Sequence, residues 1–391
     1  MIEKEQSVLL ELIKNALFQC PIELPDSIDW NVVYDESVEQ TVTSLIADSV
    51  PAENGARFKE TQMSCRAHYM KVLYEQNMLV KLLSDNRISS VIIKGISAAK
   101  YYPIPHNRIM GDIDILVPVE DYERAKDVLI NNAYLLDHED INRHAAYAKN
   151  GVCIELHYCF STDCPRLEEY LAESFSDIQQ LSINGFCVPV LPEAINGLLI
   201  LAHIRHHILG QGLGLRQITD WEMFVHSHSD LDFWRNDFMP KADACGLTDF
   251  AIIITRLCRK YLALPDEILW CNEVDAPRLE FIMECIFEAG NFGSKTGREE
   301  TDAERVSLRI KKAIKNRELF KMLQTSGQEN WKACQKHPFL RHFAFIYQAF
   351  RYLFRGIKAA LHGGAVKDLS SANDRFEIYK AFELNEKQDI K

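Results

Sequence analysis

No stretch of this chain stays apolar for the roughly 18–20 residues that a bilayer-crossing helix requires, so no membrane span is expected. No Cys-x-x-Cys pair occurs among the 11 cysteines. Their odd number and scattered placement suit free thiols in a reducing compartment better than a disulfide framework or a zinc knuckle. The opening residues, MIEKEQSVLLELIKNAL, lack the basic start and small-residue cleavage site of a secretory signal and read as an amphipathic helix. The expectation is a cytoplasmic protein. Internal repeats and low-complexity tracts are also missing. Basic charge is scarce over most of the length: residues 1–300 hold 26 Lys and Arg against 46 Asp and Glu. An acidic body argues against tight, sequence-independent binding to nucleic acid, which depends on neutralising phosphates. Residues 301–366 reverse the balance, with 13 basic residues against 4 acidic ones. They read as a solvated basic helical face.

What is present divides into four regions. Residues 1–88 read as helices, the longest being RFKETQMSCRAHYMKVLYEQNMLVKLLSDN, with apolar residues near helical spacing and no internal Gly or Pro. Residues 89–190 alternate β-branched runs with turn signals, predicting strands at Val91–Lys94, Asp112–Pro118, Tyr134–Asp137, Arg143–Lys149, Val152–Phe160 and Phe186–Val190. A helix, EDYERAKDVLINN, separates the second and third. Asn150-Gly151 predicts a tight hairpin, because a type I′ turn needs positive φ at both central residues. Residues 191–300 are helical again, with a break at Gly210, Gly212 and Gly214, and residues 301–391 form a basic helical end. The fold class is α+β, a mixed-sheet core flanked by helical regions. The aromatic-rich segment HPFLRHFAFIYQAFRYLFRGIKAALHGG is read as core or intersubunit packing rather than membrane contact.

The chemistry concentrates in RIMGDIDILV, residues 108–117. Side chains alternate along a strand, so Asp112 and Asp114 point one way while Ile113, Ile115 and Val117 point into the core. GVCIELHYCF repeats the pattern, with Val152, Ile154, Leu156 and Tyr158 apolar on one face and Cys153, Glu155 and His157 on the other. If the strands are neighbours, three carboxylates converge. Such a cluster is electrostatically unreasonable without cations. Oxygen ligands on a rigid strand suit Mg²⁺, one ion or two, with Mn²⁺ as a substitute. Upstream, VIIKGISAAKYY ends a strand at Lys94-Gly95, where a glycine lets backbone approach a ligand. Lys94 and Arg108 are cations suited to a triphosphate.

Gly95, Asp112-Ile113-Asp114 and Ile154-Glu155-Leu156 together resemble the nucleotidyltransferase superfamily that includes polymerase β and the aminoglycoside nucleotidyltransferases. More narrowly, IKG, YYPIPHNRIMGDIDILV and LHY are similar to a branch of uncharacterised nucleotidyltransferases, over about residues 85–225. The resemblance implies that Asp112, Asp114 and Glu155 are catalytic and metal-ligating, with Glu155 as third ligand or base. It implies that the Lys94-Gly95 turn contacts the triphosphate. Arg108, Gly111 and His157 are further candidates for nucleotide contact, and His157, on the polar face with Glu155, is read either as orienting a ligand or substrate or as a hydrogen-bonded structural histidine. The implied reaction moves a nucleoside monophosphate from an NTP to an acceptor hydroxyl and releases pyrophosphate. The superfamily turn is usually Gly-Gly or Gly-Ser, and here Lys94 fills its first position.

Two other readings stand beside this one. The fold could serve as a nucleotide-binding or regulatory module that transfers nothing. A His/Asp metallohydrolase could use His203 and His207, four apart on one helical face, with Asp220, although Ile204 stands where a zinc protease has its glutamate. On the same spacing rule, Arg216 and Asp220 are expected to form a structural ion pair. Cys153, Cys159 and Cys164 match no zinc spacing and are read as idle thiols.

Overall fold

The computed structural model describes residues 2–140, 144–160, 164–209, 212–265, 270–271, 276–291, 294–295, 319–331, 338–361, 377 and 380–382. The chain divides into two compact units, one built on residues 1–207 and 212–296, the other on 208–211 and 297–383.

The first unit opens with helices α1 (Lys4–Phe18), α2 (Trp30–Glu39), α3 (Thr43–Ile46) and α4 (Ala56–Asp85). Asp29 caps α2, its carboxylate accepting from the backbone N–H groups of Asn31 and Val32. The expected sheet follows, with seven strands: β1 (Val91–Ile93), β2 (Ile113–Leu116), β3 (Leu135–Asp140), β4 (His144–Lys149), β5 (Val152–His157), β6 (Gln179–Ile183) and β7 (Phe186–Val190). Helices α5 (Gly95–Ala99), α6 (Tyr122–Asn131) and α7 (Pro165–Ser174) connect them. The sheet order is β3-β4-β5-β2-β1-β7-β6. It is mixed: β2 runs parallel to β5 and β1 to β7, while the remaining pairs are antiparallel.

The strand at Gln179–Ile183 was not expected from the sequence. The strand expected at Arg143–Lys149 begins at His144 among the described residues, Arg143 lying outside them. The one expected at Val152–Phe160 ends at His157. Asn-Gly turns join β4 to β5 and β6 to β7: Asn150 and Gly151 have φ of 51° and 69°, and Asn184 and Gly185 have 48° and 81°.

One face of the sheet packs on α4. Tyr69, Val72, Leu79 and Leu83 of that helix join Ile92, Ile113, Ile115, Tyr147, Ile154 and Leu156 in a buried cluster. Because side chains alternate, this packing turns Asp114 and Glu155 to the opposite face.

Helices α8 (Glu193–Leu209), α9 (Leu215–Ser227), α10 (Met239–Ala244), α11 (Thr248–Tyr261) and α12 (Ala276–Ala289) follow the sheet. Asn196 of α8 ties it to α5: its Oδ1 accepts from Ser97 Oγ at 3.2 Å and its Nδ2 donates to the Ser97 carbonyl at 3.1 Å. Trp221 of α9 donates from Nε1 to Thr255 of α11 at 2.9 Å.

Beside Trp221, Glu222 is fully buried, and neither carboxylate oxygen has a hydrogen-bond partner among the described residues. Burial, and then the nearby Cys20 thiol, push its pKa far above the usual 4.5. Folding therefore retains a proton that the unfolded chain releases above that value, and stability falls as pH rises past it. Glu222→Met, of similar size and apolar, is expected to raise stability by about 1–3 kcal/mol at pH 7. The gain should be smaller at pH 5, as read from urea unfolding midpoints at the two pH values.

In the second unit, α13 (Leu319–Asn330) and α14 (Ala344–Leu361) form a helical hairpin. Their backbones approach at Gly327, where any Cβ would meet the Ala344 carbonyl oxygen. Trp331 stacks on Tyr347 at 5.0 Å, while Phe320, Phe339, Phe343 and Phe350 stay exposed. Much of the expected basic segment, including residues 301–318, lies outside the described residues. No helix among the described residues is long and apolar enough to cross a membrane, and no disulfide joins the described cysteines.

Candidate active site

The site begins with hydrogen-bond register. Parallel pairing of β2 with β5 sets Asp114 beside Glu155 and Leu116 beside His157. Antiparallel pairing of β1 with β2 sets Ile93 beside Asp114, which brings the next residue, Lys94, to the same place. Asp112 precedes β2 by one residue, two from Asp114 and on its face. One ligand oxygen from each of Asp112, Asp114 and Glu155 lies within 4.8 Å of the others. The convergence expected from alternation is therefore present.

Asp114 is buried and carries an ammonium and an imidazole partner on one oxygen. Lys94 Nζ donates to its Oδ1 at 2.5 Å, and His157 Nε2 lies 3.0 Å from the same atom. His157 Nε2 is also 3.1 Å from Glu155 Oε2. Burial works against the charge on Asp114. The Lys94 ammonium and the His157 hydrogen bond outweigh it and hold the carboxyl well below the usual range. Burial equally opposes protonation of His157, and its bonds to Asp114 and Glu155 reverse that, raising its pKa. Asp112 has no such support. The charge on Asp114, then burial, push it up to about 6, against the pull of Lys94. That is the signature of a crowded anionic site, where one more positive charge would be accommodated.

Lys94 pays for its position in backbone geometry. Its φ of 56° with ψ of −142° is a conformation suited to glycine, costing a side-chain-bearing residue about 1–3 kcal/mol. Gly95, at φ 36°, follows, and a Cβ there would press on Met110 Cε at 3.2 Å. The turn thus departs from a glycine pair at Lys94, whose ammonium reaches Asp114.

Arg108 is placed differently from the expectation of a cation open to phosphate. Its Nε and Nη2 donate to the two carboxylate oxygens of Asp220, both at 2.6 Å, and the pair is buried. Tyr102 Oη also donates to Asp220, at 2.8 Å. Asp220 therefore pairs with Arg108 and not with Arg216, whose Nη1 donates to the Ile109 carbonyl. The expected Arg216–Asp220 pair is corrected on this point. A bidentate tertiary partner takes both oxygens, where an i,i+4 neighbour contributes a few tenths of a kcal/mol. Gly111 is exposed just before Asp112, with open space around it.

His203 and His207 pack edge-on at 4.3 Å. Burial first, then neighbouring positive charge, lowers both pKa values, His207 to about 3. Asp220 is taken by Arg108, so the His/Asp metallohydrolase constellation does not assemble, and neither histidine joins a candidate metal group among the described residues. They do lie toward the site: the Phe160 ring is 5.4 Å from Lys94 Nζ and 6.3 Å from the His203 ring. Cys153, Cys159 and Cys164 likewise belong to no metal group among the described residues.

Sequence reasoning missed His144. Its Nε2 lies 3.7 Å from Glu155 Oε1, and its ring 4.9 Å from that of His157. The signal was available, since counting outward from the Asn150-Gly151 turn sets His144 opposite His157.

A family model described as "Uncharacterised nucleotidyltransferase" matches residues 26–263. The chain belongs to that family. The match takes in α4, the whole sheet, and helices α8 to α11, and so every residue of the site. The crystal structure of an antigenic nucleotidyltransferase-like protein from Paracoccidioides brasiliensis is similar to 49% of this chain and 91% of its own, at 15% identity and a TM-score of 0.32. No curated protein sequence matches the chain.

Proposed function

We propose that this protein transfers a nucleoside monophosphate from an NTP to an acceptor hydroxyl on the face carrying Asp112, Asp114 and Glu155. The observation that carries the reading is the closeness of three carboxylates from adjacent strands, within 4.8 Å, in a chain of nucleotidyltransferase family. All-oxygen donors at that spacing fit Mg²⁺, or Mn²⁺ in its place. When bound, such an ion neutralises the triphosphate and polarises the α-phosphate.

The chain's own groups take these roles. Asp112 and Asp114 hold the cation, and Glu155 is the third ligand or accepts the proton of the attacking hydroxyl. The acceptor oxygen forms a bond to the α-phosphorus, the bond from that phosphorus to the bridging oxygen breaks, and pyrophosphate leaves. Lys94, on its turn at the end of β1, contacts the phosphates. Arg108 acts as a positioning residue, anchoring the loop that leads into Asp112. His157 orients Asp114 and Glu155.

A second reading, a nucleotide-binding module that transfers nothing, has one observation in its favour. Lys94 and His157 already satisfy Asp114 Oδ1. Incubating the protein with α-labelled NTPs, Mg²⁺ or Mn²⁺ and a cell extract separates the two. Label on a protein, small molecule or nucleic acid with pyrophosphate release supports transfer. Tight binding without pyrophosphate release supports the module.

A further inference from the structure

Glu155 has a neighbour, His144, that the transfer chemistry does not use. Antiparallel pairing of β4 with β5 sets His144 opposite His157 and Ala146 opposite Glu155. His144, Glu155 and His157 therefore share the face of the sheet that carries Asp114. One ligand atom from each lies within 4.8 Å of the other two. Glu155 sits between the imidazoles: its Oε1 is 3.7 Å from His144 Nε2 and its Oε2 3.1 Å from His157 Nε2. A tetrahedral ion with bonds of about 2.0–2.1 Å holds its donors about 3.3 Å apart. Each imidazole thus stands near coordination spacing from a Glu155 oxygen, and two hydrogen-bonded strands fix all three side chains.

The donor chemistry differs from that of the aspartate cluster. Two imidazole nitrogens and one carboxylate suit a borderline cation such as Zn²⁺ and suit Mg²⁺ poorly. Three protein ligands also leave a fourth position for water or substrate. We propose that His144, Glu155 and His157 form a zinc-class site sharing Glu155 with the Asp112–Asp114 cluster. Because one carboxylate serves both, Zn²⁺ at this site withdraws Glu155 from transfer and acts as an inhibitor. The inhibitory part rests on the transferase reading; the binding site does not.

The test uses the full chain and Zn²⁺ alone in equilibrium dialysis. The wild type is expected to bind one Zn²⁺ that His144→Gln weakens by about tenfold or more. Asp112→Asn, which leaves the three ligands intact, should bind within about twofold of wild type, a change below 0.5 kcal/mol. A measurement on the wild type alone guards against a His144 variant that fails to fold: the Co²⁺-loaded protein should show paramagnetically shifted imidazole resonances from two histidines. In turnover assays, His144→Gln should relieve Zn²⁺ inhibition against a constant Mg²⁺ background. Equal affinity in His144→Gln, a loss in Asp112→Asn as large as in His144→Gln, or Co²⁺ shifts from no histidine would overturn the site. Zinc binding that follows His144 in a protein with no turnover would uphold the site and count against the transferase reading instead.

Discussion

Asp114→Asn is expected to abolish divalent-dependent NTP turnover while leaving the sheet folded. Metal-assisted charge stabilisation contributes several kcal/mol to such transition states, and about 4 kcal/mol corresponds to a loss of about 10³-fold. Folding should survive, because the asparagine carbonyl still accepts a hydrogen bond from Lys94 or His157, and the substitution keeps the side chain's shape. It also removes the stronger anion of the cluster, so Asp112, whose pKa is raised chiefly by Asp114, should titrate closer to an ordinary carboxyl. Circular dichroism and thermal unfolding report the fold, and pyrophosphate release reports the chemistry. Undiminished turnover in a folded Asp114→Asn protein would contradict the assignment.

Asp220→Ala should be the more damaging change to stability. It strands Arg108, whose guanidinium is buried and donates twice to the missing carboxylate, and it removes one of the two hydrogen-bond partners of Tyr102 Oη, leaving Thr219 Oγ1. Breaking a buried ion pair from one side costs about 3–5 kcal/mol. An exposed pair such as Lys81–Asp85, spaced i,i+4, contributes a few tenths. Replacing both partners together, as Arg108→Met with Asp220→Leu, should recover much of the loss, since no uncompensated charge remains. Urea unfolding of Arg108→Met, Asp220→Leu and the double variant closes the cycle. Single variants as stable as wild type would show that the pair does not anchor the loop. Because that loop runs directly into Asp112, the double variant should regain stability before it regains turnover.

The parts of this structure legible in the sequence are those governed by local rules. Alternation alone assigned Asp112 and Asp114 to one face and Ile113 and Ile115 to the other, and the same rule oriented Glu155 and His157. Asn150-Gly151 announced its hairpin because few residue pairs accept positive φ twice. The strand Gln179–Ile183 escaped notice although Asn184-Gly185 carries the same turn signal. It is a sheet-edge strand whose sequence, QQLSI, is mostly polar and largely exposed, so it lacks the apolar run that marks a strand facing a core. The pairing of Arg108 with Asp220 was beyond local reasoning altogether, since 112 residues separate them and only the packing of α9 brings them together. His144 lies between these cases. Its place follows from counting back through the turn, but nothing in its own surroundings marks it.

The hairpin joining β4 to β5 has a consequence for what variation this protein can tolerate. Its two-residue turn acts as a parity setting. One residue added between Lys149 and Val152, if it shifted every pairing on β4 by a single step, would swap the two rows of side chains, turning the His144 imidazole toward the packed interior and Tyr147 toward the face that carries Glu155. An odd change in the length of that turn is therefore tolerated only where a β-bulge absorbs the extra residue and keeps both rows on their faces.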